Sequence, residues 1–137
     1  MIRIVLSTFA DGDSAAQAVR ALVSEKLAAC GTIIPGARSI YLWRGVMEDS
    51  AEVLVLFKIA AANEEEFIRR LGELHPYDVP EIVSIPPSKW NEAYGRWVVE
   101  SASSSPDTSV DYLIERLKKS SGDPKGVKIS REELHRY

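Results

Sequence analysis

Apolar positions change their spacing several times along this chain, and each change marks an element. Ile2–Phe9 alternates as a first strand, Ile4 and Leu6 opposing Val5. Asp11-Gly12-Asp13-Ser14 signals a turn and a helix start; Ser14 and Gln17 have capping-box spacing, and Asp11 or Asp13 serves equally as the cap. The helix is expected to run to about Ala29 and stop at Gly31, with Val19, Leu22, Val23 and Leu27 inward and a run of alanines lying close to a sheet. Residues 32–44 and 51–59, rich in β-branched and aromatic side chains and separated by a polar turn at 45–50, predict one long antiparallel hairpin. Asn63 and Glu66 repeat the capping-box spacing ahead of a helix lined by Phe67, Ile68, Leu71 and Leu74, with Glu64, Glu65 and Glu66 at the positive end of its dipole. Pro76 ends that helix near His75. Ile82–Ile85 is a short strand confined to a sheet edge by its flanking prolines, and residues 91–101 form a third helix with Tyr94, Trp97 and Val98 on one side.

This order, β-α-β-β-α-β followed by a helix, predicts an α+β fold of the ferredoxin-like kind, with a long central hairpin and both main helices on one face of the sheet. Residues 1–101 are expected to form that domain. Residues 102–137 read as a serine-rich linker and a short helical extension, with Val110, Leu113, Ile114 and Leu117 at the spacing of one helical face.

The hairpin has no polar side. Ile40 and Leu42 point one way and Tyr41 and Trp43 the other, while Val53, Val55 and Phe57 oppose Leu54 and Leu56. Two helices cover only one face, so the second apolar set would meet water. Each large apolar side chain left exposed forfeits ~1.5–3 kcal/mol, and half a dozen forfeit on the order of ten. That equals the whole stability of an ordinary domain. The expectation is a homo-oligomer joined through its sheets, unless the third helix or the extension folds back over the bare face.

Composition narrows the class. At 137 residues, 45% hydrophobic and 27% charged, the chain suits one globular domain with an appendage. A net charge of −3 provides no basic field for nucleic acid or an anionic membrane. The single cysteine, Cys30, leaves no disulfide framework and fits a reducing cytoplasm; no apolar run approaches a membrane span.

The candidate chemistry is sparse. Cys30, His75, Asp78 and Glu81 are suitable atom types for a divalent ion, without Cys-x-x-Cys or His-x-x-x-His spacing. Lys58 interrupts an apolar strand and calls for a carboxylate, with Glu81 and Glu52 as the choices, or else it snorkels from the strand end. Trp43, Tyr41 and Tyr77 are suited to wall a pocket there. Nucleotide-binding glycine motifs and a nucleophile elbow are absent.

Taken together, Leu27-Ala28-Ala29-Cys30, Ile34-Pro35-Gly36, Ser39-Ile40-Tyr41, Trp43, Gly45, Lys58, His75-Pro76-Tyr77, Pro80-Glu81-Ile82, Tyr94 and Trp97 resemble the CutA divalent-cation-tolerance proteins over residues 2–101. The resemblance implies a compact homotrimer with intertwined long strands, similar to the PII-type signalling proteins, and a link to tolerance of copper and other divalent ions. Copper ligation proposed for the family uses a first-strand cysteine and adjacent histidines before the proline. This chain has Ser7 and Leu74-His75 there, leaving His75 as the metal candidate. Tyr41, Trp43, Lys58, Tyr77 and Glu81 are the candidates for a small-molecule or ion pocket between subunits. The expectation is a cytoplasmic, non-enzymatic trimer that responds to divalent metal, holding copper or zinc weakly or a small ligand between its copies. The alternative is a trimeric scaffold presenting partner-binding surfaces. An enzyme using Lys58, His75 and Glu81 as acid–base groups ranks last.

Overall fold

A computed structural model describes residues 1–102, which form one compact unit. Expectations for the extension lie outside those residues. Four strands, β1 (Ile2–Phe9), β2 (Cys30–Trp43), β3 (Val46–Ala60) and β4 (Ile82–Ile85), pair antiparallel in the order β2-β3-β1-β4. Three helices, α1 (Gly12–Ser24), α2 (Glu64–Leu74) and α3 (Glu92–Ser101), complete the ferredoxin-like α+β arrangement.

Strict alternation along β1 and β3 builds the core. Val5, Phe9, Val53, Val55, Phe57 and Ile59 face α1 and α2 and are buried against Ala15, Ala18, Leu22, Phe67 and Leu71. Two expected inward residues, Val23 and Ile68, are exposed instead. In α1 the small side chains of Ala15 and Ala18 take the contact, which rotates the buried stripe away from Val23.

Helix α1 stops five residues before the expected end. Lys26 adopts a left-handed conformation (φ 62°), Leu27 N–H donates to the Leu22 carbonyl at 3.0 Å, and Lys26 N–H to the Val23 carbonyl at 3.0 Å. This pair of bonds is the Schellman C-cap, here with lysine where glycine is usual. Gly31 is therefore no helix stop; it lies in β2, where a Cβ would sit 2.9 Å from Val19 Cγ2, so its missing side chain lets α1 approach the sheet. Asp11 is the N-cap of α1, accepting from Ser14 N–H at 2.7 Å. The expected Asn63 cap does not form. A 3₁₀ turn precedes α2, and the buried Asn63 amide donates to the Ala102 carbonyl, tying the end of α3 to the start of α2.

The hairpin turn is tighter than expected. Arg44 (φ 52°) and Gly45 (φ 81°) alone make it, and Trp43 pairs with Val46. Two successive left-handed residues are the signature of a type I′ turn, whose twist matches that of the strands it joins. Residues 46–50 thus continue β3, their polar side chains compatible with pairing because Arg38 reaches across to Asp49. A bulge at Pro35-Gly36 re-phases β2, tolerated because β2 is an edge strand.

Strand β1 covers β3 only from Val53 to Ala60. The seven pairs from Ala37–Glu52 to Trp43–Val46 stand beyond it as a two-stranded arm, roughly 24 Å long at ~3.4 Å per residue. On the second face of the sheet, α3 covers one end, where Ile2, Ala60, Val98 and Ala102 pack with Tyr94 and Trp97. Ile34, Val83 and Ile85 on that face remain exposed, so the third helix roofs it in part only.

Candidate functional site

His75 lies buried at the C-terminal end of β1, where Pro76 ends α2 and turns the chain toward the sheet edge. Its ring stacks on Phe9 with centroids 4.2 Å apart. Nδ1 accepts from the Tyr77 backbone N–H at 3.1 Å, so Nε2 carries the proton and donates to the Thr8 carbonyl at 2.8 Å. Burial pushes its pKa below the usual imidazole value, against the Thr8 carbonyl and the Glu52 charge, which favour the charged form. Both ring nitrogens are thus engaged by backbone, and a metal ion on His75 would displace one of these bonds.

Tyr77 follows from this anchor. Its hydroxyl donates to Glu52 Oε2 at 2.8 Å, and its ring tilts against His75. Burial, then the Glu52 hydrogen bond and charge, push the phenol up to about 12, with Tyr41 and Asp11 adding to the effect. Glu52, His75 and Tyr77 therefore gather where the arm leaves the body, while Tyr41 stands farther along the arm, opposite Glu48. Glu52 is the member that residue types assigned elsewhere. Its pairing with Tyr77 depends on strand register, for which no local motif exists.

The other candidates lie apart from this group. Neither Glu81 nor Glu52 comes within 4.0 Å of the Lys58 ammonium; Nζ donates to Thr32 Oγ1 across the β2–β3 ladder instead. Cys30 pairs with Lys58 in the ladder, and its thiol shares a hydrogen bond with the Tyr94 hydroxyl, which burial pushes up. Trp43 is 51% exposed near the arm tip, with the Arg44 guanidinium 5.6 Å from its ring centre. Glu81 is exposed just ahead of β4. Among the described residues no three His, Cys, Asp or Glu side chains gather closely enough to hold an ion.

Comparison with known proteins agrees with the fold. The family model described as "CutA1 divalent ion tolerance protein" matches residues 3–101. "Divalent-cation tolerance protein CutA" of Thermus thermophilus is 40% identical over 100 residues, 73% of this chain and 97% of the relative. The protein of the same name from Pectobacterium atrosepticum is 36% identical over 95 residues, 69% of this chain and 86% of the relative. The crystal structure of CutA1 from Pyrococcus horikoshii superposes with a TM-score of 0.70 at 40% identity, covering 74% of this chain and 97% of that one. The match is continuous from the first strand to the end of α3, and nearly whole relatives fall within it: the chain belongs to the CutA1 divalent ion tolerance family.

Proposed function

We propose that this protein acts as a homotrimeric divalent-metal response protein of the cytoplasm, without an enzymatic reaction, its copies joined through their arms. The observation that carries the assembly is the arm itself. Ile40, Tyr41, Leu42, Trp43, Val46 and Met47 are all exposed on it, Leu42 by 65% and Met47 by 64%. A lone two-stranded hairpin is marginal in water, and this one carries apolar groups on both sides. Laid on the bare sheet face of another copy, it loses that surface to a partner of the same character. The family description supports the divalent-ion role and leaves the ligand open.

In this reading a small ligand, or a weakly held copper or zinc ion, binds between copies near Tyr41, His75 and Tyr77. Trp43, Lys58 and Glu81 come from neighbouring chains. Weak metal binding follows from His75: a cation reaches Nδ1 only by displacing the Tyr77 N–H, or Nε2 only by displacing the Thr8 carbonyl. Among the described residues the donors of one chain do not form a closed site. The engaged imidazole also favours the second reading, a trimeric scaffold with no metal role. Titration calorimetry with copper and with zinc, on wild type and His75→Ala, separates the two. Heat from wild type that is lost in the variant supports the metal role; no heat from either leaves the scaffold. Light scattering that returns one chain mass at micromolar concentration would overturn the trimer.

A further inference from the structure

The arm carries three carboxylates, and only one of them lacks a partner. Asp49 accepts from Arg38 at 2.6 and 2.7 Å, and Glu52 accepts from Tyr77 at 2.8 Å. Glu48, partly buried, has neither an ion pair nor a hydrogen bond among the described residues. Register sets it opposite Tyr41, on the arm side that also holds Trp43 and Val46. A carboxylate beside two aromatic rings and a valine loses its water once that side is covered, and remains costly unless it meets a cation.

The bare face of the sheet presents the reverse case. Ile4, Leu6, Leu54, Leu56, Val83 and Ile85 share it by register, and Lys58 is the one cation among the residues paired on that face. Its ammonium has a single hydroxyl, Thr32 Oγ1, and no carboxylate within 4.0 Å. The outer half of that arm side, apolar but for one unmatched anion, and an apolar sheet face with one unmatched cation are complementary in polarity and charge.

We infer that Glu48 on the arm of one copy pairs with Lys58 on the sheet of a second copy, an inference that rests on the reading that copies join through their arms. The pair sets where the arm stops along the sheet, because apolar contacts alone permit slippage and a lone charge on either surface penalises every other register. It also accounts for a lysine in the run 53–59, otherwise built of Val, Leu, Phe and Ile.

A charge-swap cycle tests this in the full chain. Glu48→Lys, Lys58→Glu and the double swap are compared with wild type by sedimentation velocity over a dilution series, with far-ultraviolet circular dichroism reporting the fold. Each single reversal should move the association midpoint to at least about tenfold higher concentration, and the swap should recover most of that shift. Additive losses in the double variant, or a Glu48→Lys protein that assembles as wild type does, overturn the pairing. If a reversal does not fold, Glu48→Gln, Lys58→Met and their combination carry the same cycle, with coupling expected and additivity fatal. A wild-type chain that stays monomeric at every concentration removes the assembly reading and the pair with it. An assembling wild type with uncoupled variants removes the pair alone.

Discussion

The Tyr77 hydroxyl donates to Oε2 of Glu52 at 2.8 Å, joining the loop after α2 to the base of the arm across 25 positions of chain. This bond holds the Pro76–Pro80 loop against β3 at the point where β1 ends. Removing the hydroxyl in Tyr77→Phe leaves the ring on His75 and deprives a partly buried carboxylate of its donor. The expected loss is about 1–2 kcal/mol, read as a lower urea midpoint at unchanged slope. An unchanged midpoint would show that water replaces the phenol without cost.

His75 gives the stability a pH dependence whose sign is set by burial. Its native pKa lies below the unfolded value, so the unfolded chain binds more protons as pH falls and stability rises with pH. The contribution is complete above the ordinary value near 6.5 and is lost as pH drops from there toward the depressed native pKa. Denaturant midpoints at pH 7 and pH 5 should differ more for wild type than for His75→Gln. Equal differences would place the proton uptake on other groups.

Ser7 is buried in the core with its hydroxyl unpartnered among the described residues. The hydroxyl was desolvated on folding and gains nothing in return, so Ser7→Ala should equal or exceed wild type by up to about 1 kcal/mol. Thermal unfolding checks this. A clear loss of stability would reveal a hydrogen bond that Ser7 makes to a buried water.

Lys26 holds a left-handed conformation that costs a side-chain-bearing residue about 1–2 kcal/mol. Lys26→Gly should relieve most of that strain at the Schellman cap, offset by the greater freedom of glycine in the unfolded chain. The expected net gain is about 0.5–1 kcal/mol, visible as a higher Tm at fixed protein concentration. A lower Tm would show that the lysine side chain itself has a packing role there.

Element order was legible because each segment's apolar spacing matches one kind of structure. The inward set of β3, the end of α2 at His75 and the edge position of β4 follow from residues close in sequence. Boundaries governed by a left-handed residue other than glycine were not legible. Lys26 and Arg44 both take that conformation, and neither residue type announces it, so apolar spacing predicts a longer α1 and a wider hairpin turn than the chain forms.

At the candidate site, residue types alone do not give the pairings. An ammonium in an apolar strand calls for a carboxylate, which makes Glu81 and Glu52 the choices for Lys58 unless it snorkels from the strand end. Register instead puts Thr32 within reach of Lys58 and Tyr77 within reach of Glu52.

Periodicity alone determined the ferredoxin-like order and the presence of a hairpin apolar on both sides, because burial acts on residues two or four apart and leaves its mark locally. Tertiary structure decided where the arm leaves the body, which carboxylate is satisfied, and that both nitrogens of His75 face backbone. Those outcomes depend on strand register and loop closure, which join residues tens of positions apart and leave no local pattern to read.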